Sequence, residues 1–323
     1  MGDALRKEVT MAKKIRFGVQ TAPQNTTWQD LRETWKLIDS LGYDTAWTFD
    51  HFFAILSDPS GPCFEGWMSL AALAAETTRV QTGVLVSGNT YRHPAVLAKM
   101  GATLDHTSGG RLIMGIGAGW FEDEHAAYGI PFFTTAERIR RLDEAVEIIK
   151  RLWSEKQVTF EGKYYQLRDA YCEPKPVQQP RPPIMIGGAG EKLTLRVVAK
   201  HADQWNTFGP PAVFRHKLKV LGEHCADVGR NLDEIEVSWA GAAAVTDSKE
   251  LREAIVNGMA KAFGRPVEEI EPGLLVGSAA EVRERIERLV EVGVTHFIMI
   301  ANTPFNHDSL RRFAEEVMPS FRT

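Results

Sequence analysis

The sequence predicts an α/β protein of the (β/α)8, or TIM barrel, class on three observations. Eight short apolar runs alternate with helix-period segments along the chain. Most of these runs are apolar on consecutive rather than alternate residues, the pattern of parallel strands covered on both faces. The length of 323 residues, 44% of them hydrophobic and 25% charged, matches barrels that fold as one unit with a large core. Eight βα alternations with right-handed crossovers either close into a barrel or open into a doubly wound sheet, and the count favours closure. The expected layout is an N-terminal extension over 1–14, then a single domain over 15–323 with insertions after helix 4 and strand 7.

Strand 1 is read over 15–21 (IRFGVQT). Strand 2, over 45–51 (TAWTFDH), ends on Asp50 and His51, two titratable groups at the barrel face where catalytic side chains collect. Strand 3 covers 80–88 (VQTGVLVSG), and beyond it Pro94 suits the first position of a helix. Strand 4 covers 111–117 (RLIMGIG). The next helix is the clearest: Ile139, Leu142, Val146, Ile149 and Leu152 recur at three- and four-residue steps, and Thr134 with Glu137 forms a capping-box pair.

Ser154 to Pro182 is too long for a simple loop. VTFEGKYYQL predicts a hairpin centred on Glu161-Gly162, and EPKPVQQPRPP an extended connector. Strand 5, over 183–188 (PIMIGG), leads through Gly187-Gly188-Ala189-Gly190 straight into a helix, so free backbone N–H groups would face an anion such as phosphate. Strands 6, 7 and 8 are read over 202–209, 235–245 and 295–302. The second insertion, Thr246 to Val276, follows strand 7, and the helix AAEVRERIERLVEVG stops at Gly293. Insertions often wall an active site, so both are candidates for substrate contact.

A net charge of -4 gives no electrostatic reason to expect nucleic acid or a membrane surface. No run approaches the roughly 18–20 apolar residues of a membrane helix. Small-molecule chemistry is the default. Cys63, Cys172 and Cys225 lie far apart without a CxxC pair, which suggests neither disulfides nor a zinc site, and no other metal site is expected. A cytoplasmic location fits. The N-terminal MGDALRKEVTMAKK lacks a signal-peptide core, and Met11 is a second candidate start.

The run RLIMGIGAGWFEDEH imitates a dinucleotide-binding loop. That loop needs a third glycine for close helix packing and an acid about twenty residues on for the ribose. Here Trp120 follows Gly-Ala-Gly, its indole blocks the approach, and the motif sits in the fourth βα unit. An NAD site is rejected. Gly117 and Gly119 either pack a tight turn or clear room for a flat ring at the strand lip. Glu122 and Asp123 are read as acids favoured by a helix N-terminus. Phe52, Phe53, Phe64, Trp67, Phe121, Phe132 and Phe133 cluster near the expected mouth, either as substrate contacts or as loop packing.

TFDH, GVLVSGNTYRHPAVLAKM, RLIMGIGAGWFEDEHAAYGIPF, KPVQQPRPPIMIGG and VGSAAEVRERI together resemble the luciferase-like flavin and deazaflavin oxidoreductases, from about Ile15 onward. GAGWF with EHAAYGIPF is similar to the branch that uses coenzyme F420 rather than FMN. The resemblance implies a TIM barrel with the cofactor ring at its C-terminal mouth. It implies that Asp50 touches the cofactor, and that His51 sits against the ring as catalytic proton donor or hydrogen-bonding partner. It further implies a non-proline cis peptide around Leu85, Val86 and Ser87. Val86, Ser87, Gly88, Ala118, Gly119 and Trp120 would border the ring, and Gly187, Gly188, Ala189 and Gly190 would hold the tail phosphate.

The implied activity is F420-dependent hydride transfer to or from a small, apolar organic substrate. The alternatives are an FMN-dependent monooxygenase that uses oxygen and a partner reductase, and a non-catalytic flavin-binding protein. A homodimer or higher homo-oligomer is the family's usual form. Members that oxidise sugar phosphates carry a proton-accepting acid where this chain has Trp120, which argues against that substrate.

Overall fold

In a computed structural model that describes residues 14–322, eight parallel strands close on themselves. They are β1 (Arg16–Thr21), β2 (Thr45–Thr48), β3 (Gln81–Val84), β4 (Leu112–Gly117), β5 (Ile184–Gly187), β6 (Gln204–Thr207), β7 (Glu236–Val245) and β8 (His296–Ala301). Each pairs in parallel with its neighbours in sequence order, and β8 pairs with β1 to complete the ring. All eight expected strands are present as a TIM barrel. Met11 and, apart from Lys14, the expected N-terminal extension lie outside the described residues.

Alternation along these strands divides their side chains between an inner and an outer face. Trp47, Leu85, Ile113, Met185, Ala240 and Ile298 pack together inside. At the N-terminal ends a polar layer closes the floor, with Arg16 Nη1 2.9 Å from Glu236 and Thr45 Oγ1 2.9 Å from His296 Nε2. The outer faces carry the main core against the helices: Phe17 and Phe297 are fully buried there, as are Ile186 of β5 and Trp239 of β7. A filled interior leaves the C-terminal rim as the place for chemistry.

Helices α1 (Trp28–Ser40), α2 (Gly66–Ala75) and α3 (Pro94–Thr107) follow the first three strands. His93 caps α3 and Pro94 occupies its first turn. A short α4 (Glu122–Tyr128) precedes α5 (Thr135–Ser154), which Thr134 caps by accepting from the Glu137 amide. After β5 the chain does not enter a helix at once: residues 188–193 intervene, with Gly188 at φ +135°, before α6 (Thr194–His201). Among the described residues no helix is long and apolar enough to cross a membrane.

Both insertions are present. The first forms a hairpin, Val158–Glu161 with Gln166–Ala170, whose turn is pinned by Glu144 accepting from the amides of Lys163, Tyr164 and Tyr165. It leaves from the floor end of α5, yet its tip climbs back until Tyr165 Oη lies 3.3 Å from Asn89 Nδ2. The second carries the helix Lys249–Phe263 and the strand Leu275–Gly277, which pairs with the end of β7.

The peptide bond Leu85–Val86 is cis, and the chain resumes pairing with β4 at Ser87–Gly88. Val86 stands over the glycines of two neighbouring strands. A Cβ at Gly117 would lie 2.7 Å from Val86 Cγ2, and one at Gly187 3.0 Å from Cγ1. These glycines therefore make room for Val86 as well as lining the lip. Gly115 is tighter, because an added Cβ would lie 1.9 Å from the Val84 carbonyl oxygen. Gly115→Ala should cost about 3 kcal/mol or more, since backbone must move. Gly129→Ala, at φ +66° with open space around it, should cost about 1 kcal/mol. Urea midpoints of the two variants test this, and similar losses would refute the packing argument.

Candidate active site

β2 delivers Asp50 and His51 to the rim, and each is engaged by a different partner. Asp50 is buried and both its oxygens are used: Arg92 Nη1 donates at 2.6 Å, Arg92 Nη2 at 2.9 Å and the Gly88 amide at 3.1 Å. Arg92 also bonds Glu65, which caps α2 through the Met68 amide. Burial raises the Asp50 carboxyl above its ordinary range, with Arg92 acting in the opposite direction. Carboxylate and guanidinium share a bidentate geometry, the strongest form such a pair takes.

His51 is ringed by aromatic edges. Phe49, Trp120 and Phe121 all meet it edge-on, with centroids at 5.0, 5.9 and 6.0 Å. Its Nδ1 lies 2.9 Å from Glu124 Oε2. Nε2 has no hydrogen-bond partner among the described residues and is not among the atoms sealed from solvent. Trp120 itself is 57% exposed, so this ring edge opens outward.

The other rim segments converge on the same place. Val86 touches the Gly117 and Gly187 positions, and the Asn89 amide donates to the Gly117 carbonyl at 3.0 Å. Ser87 Oγ accepts from Trp67 Nε1 at 2.8 Å. Ala118 packs on the core edge, and Gly119 has φ +79° with Thr90 Oγ1 2.6 Å from where its Cβ would stand, so a side chain is excluded twice over. Thr90 is tied in turn to His125 Nε2 at 2.7 Å. Of the β5 turn, Gly188 spends its amide on the Asn206 carbonyl, while the amides of Ala189 and Gly190 meet no backbone acceptor among the described residues.

The aromatic cluster divides. Phe52 packs on Tyr91 and Tyr128, Phe64 on Trp28, and Phe132 and Phe133 lie beneath Arg138 and Arg141. These are loop packing. Phe121, with Trp120, reaches His51, and Phe53 meets Phe121 from behind.

Sequence reasoning missed Glu124, Arg92 and Asn89. Glu124 is the third acid of the α4 first turn, where Glu122 and Asp123 are exposed but Glu124 is fully buried. The helix-dipole argument named Glu122 and Asp123 and passed over the buried third acid. The Asn89 Oδ1 atom is buried without a partner among the described residues. Among those residues, no three His, Cys, Asp or Glu side chains gather as a metal site.

The family model for luciferase-like monooxygenases matches residues 9–272. An F420-dependent glucose-6-phosphate dehydrogenase of Kineococcus radiotolerans is 30% identical over 340 residues, covering 97% of this chain and 99% of its own. One from Microbacterium testaceum is 29% identical over 338 residues, covering 97% and 99%. Among solved structures, an F420-dependent secondary alcohol dehydrogenase in complex with an F420-acetone adduct superposes with TM-score 0.84 at 22% identity, covering 96% of this chain and 100% of that one.

The Asp50–Arg92 pair generates a pH-dependent expectation. Arg92→Ala should destabilise the protein by about 3–5 kcal/mol at pH 7, because it strands a buried carboxylate. Removing Arg92 raises the folded-state pKa of Asp50 further, so the loss grows as pH rises through the folded-state value and shrinks on acidification. Urea midpoints at pH 7 and pH 5 measure it. An equal deficit at both would show that Arg92 acts through packing alone.

Proposed function

Because the chain belongs to the luciferase-like monooxygenase family, we propose that it is a coenzyme F420-dependent oxidoreductase acting on a small, uncharged, largely apolar organic substrate. The observation that carries this reading is the surround of His51: three aromatic edges in front and one buried carboxylate behind. The full-length relatives, named for the same coenzyme, support the cofactor.

The rim suits a planar ring with an anionic tail. Gly117 and Gly187 present backbone where side chains would stand, Asn89 Oδ1 is a buried acceptor in want of a donor, and the Ala189 and Gly190 amides are free to meet a phosphate. When bound, the deazaflavin supplies a carbon centre that exchanges hydride and reacts poorly with oxygen. His51 then gives or takes the substrate's proton through Nε2, while Trp120 and Phe121 exclude water and favour an apolar partner.

A sugar phosphate fits less well, although relatives carry that name. Trp120 cannot accept a proton, and the two arginines that reach the rim segments are engaged: Arg92 by Asp50 and Glu65, Arg138 by the carbonyls of Gly119 and Phe133. An FMN enzyme that uses oxygen with a partner reductase is the competing reading, since the family is described as luciferase-like monooxygenases, but the coenzyme named for the relatives favours F420. A cytosolic location belongs to the same proposal, as all three cysteines are free thiols.

Self-association is proposed through α2 and α3, which expose Met68 (74%) and Val96 (54%) beside the small residues Ala71, Ala72 and Ala75. Met68→Glu combined with Val96→Glu should convert a dimer to monomer in sedimentation, and an unchanged mass would place the contact elsewhere.

Parallel titration with F420 and FMN tests the cofactor: F420 should bind, and tight FMN binding without response to F420 would overturn the reading. With F420 and an apolar alcohol or ketone, His51→Ala should lower kcat by roughly 10²–10⁴-fold while cofactor affinity stays within a few-fold. Unchanged turnover would remove His51 from the catalytic machinery.

A further inference from the structure

Two backbone amides, a phenol and an imidazole nitrogen converge on the fully buried Glu124 carboxylate. Oε2 faces His51 Nδ1 at 2.9 Å and the Tyr91 hydroxyl, and Oε1 accepts from the amides of Phe52 and Phe53, the latter at 3.4 Å. Amide N–H groups can only donate, so the two bonds to Oε1 favour the ionised side chain. Its place in the first turn of α4 favours the same charge. Burial pushes the acid upward, but hydrogen bonds from His51, Phe52 and Tyr91 outweigh it and hold the group below the usual carboxylate range.

An ionised Oε2 fixes the state of the imidazole opposite. A lone pair on His51 Nδ1 would point at a carboxylate oxygen, so Nδ1 carries the proton. The variable position is then Nε2, the nitrogen with no partner among the described residues.

We propose that Glu124 is a positioning residue for proton transfer: it holds the proton on His51 Nδ1, aims Nε2 at the substrate oxygen, and stabilises the imidazolium form. The proposal rests on the oxidoreductase reading. In the reducing direction a hydride, which the reduced deazaflavin would supply by giving up a ring C–H bond, adds to the substrate carbonyl carbon, and the π electron pair moves onto oxygen. That oxygen takes the proton as the Nε2–H bond breaks, leaving neutral His51 with its Nδ1–H intact. Oxidation of an alcohol is the reverse. Glu124 remains ionised throughout, as the buried carboxylate of a hydrolase triad does.

The other ionisable groups around His51 do not take this part. Tyr91 shares the same carboxylate, and the Cys63 thiol, 3.7 Å from the His51 carbonyl oxygen, is pushed up to about 12 by burial and the nearby acids. Asp50 and Glu65 are bound to Arg92.

Glu124 also ties the backbone of Phe52 and Phe53, so the test must separate aiming from scaffolding. Nitrogen-15 spectra of histidine in the cofactor-free protein should show the neutral His51 ring protonated on Nδ1. The opposite tautomer would overturn the proposal, whatever the enzyme's activity.

With F420 and an uncharged ketone, Glu124→Gln should lower kcat by roughly 100-fold, leave KM and F420 affinity within about threefold, and move the pH limb of kcat/KM to lower pH. Glu124→Asp should recover part of the rate. A rate loss accompanied by a lowered Tm, with the pH limb unmoved, would reduce Glu124 to a loop anchor and overturn the proposal. If Glu124→Gln does not fold, the tautomer alone decides. Failure of the oxidoreductase reading would instead appear as no F420-dependent turnover in the unaltered protein, with the tautomer still on Nδ1.

Discussion

Two buried charges hold the end of β2, and the rest of the rim is arranged around them. Asp50 reaches sideways to Gly88 and Arg92 and so fixes the segment that follows β3. Glu124 reaches from the opposite side and fixes residues 51–53. Neither could sit unpaired away from water, because an isolated buried carboxylate would neutralise or draw water in. Their hydrogen-bond partners are therefore part of the fold, and His51, lying between them, inherits a defined orientation.

The filled barrel explains why these charges cluster where they do. Trp47, Ile113, Met185 and Ile298 occupy the centre, and the Arg16–Glu236 layer closes the floor, so the interior offers no channel. Above them Val86 covers Gly117 and Gly187. What remains is a shallow lip of backbone edged by His51 and Trp120. The hairpin after α5 adds a wall from an unexpected direction, since it starts at the floor and returns through Tyr165 to Asn89.

The fold was largely legible because it rests on periodicity: consecutive apolar runs for two-sided strands, helical spacing in α5, and His93-Pro94 ahead of α3. The site was legible only where residue identity coincides with strand position, as for Asp50, His51 and the glycines. Glu124, Arg92 and Asn89 were not, because their importance lies in partners 27 to 76 positions away and a first-turn acid looks the same whether it faces solvent or a histidine. The glycine motif held two explanations open, and the contacts seen are those of packing: Gly117 clears Val86, while Gly119 needs a positive φ and lies against Thr90. The direct helix start after Gly190 failed because a six-residue turn is as rich in glycine as a helix-binding anion loop.

The two carboxylates also respond to pH in opposite senses, although both are buried at one strand end. Asp50 has a raised folded-state value, so its ionisation works against the fold as pH climbs above the unfolded value near 3.9. Glu124 has a lowered one, so it contributes stability above its unfolded value near 4.3, and that contribution is lost as pH falls through the folded value. The difference follows from their donors. Asp50 faces one guanidinium and one amide, and that guanidinium is shared with Glu65, whose charge opposes its own. Glu124 collects an imidazole, a phenol and two amides. Acid therefore loosens the Glu124 side, and with it the hold on His51, while the Asp50 side tolerates protonation.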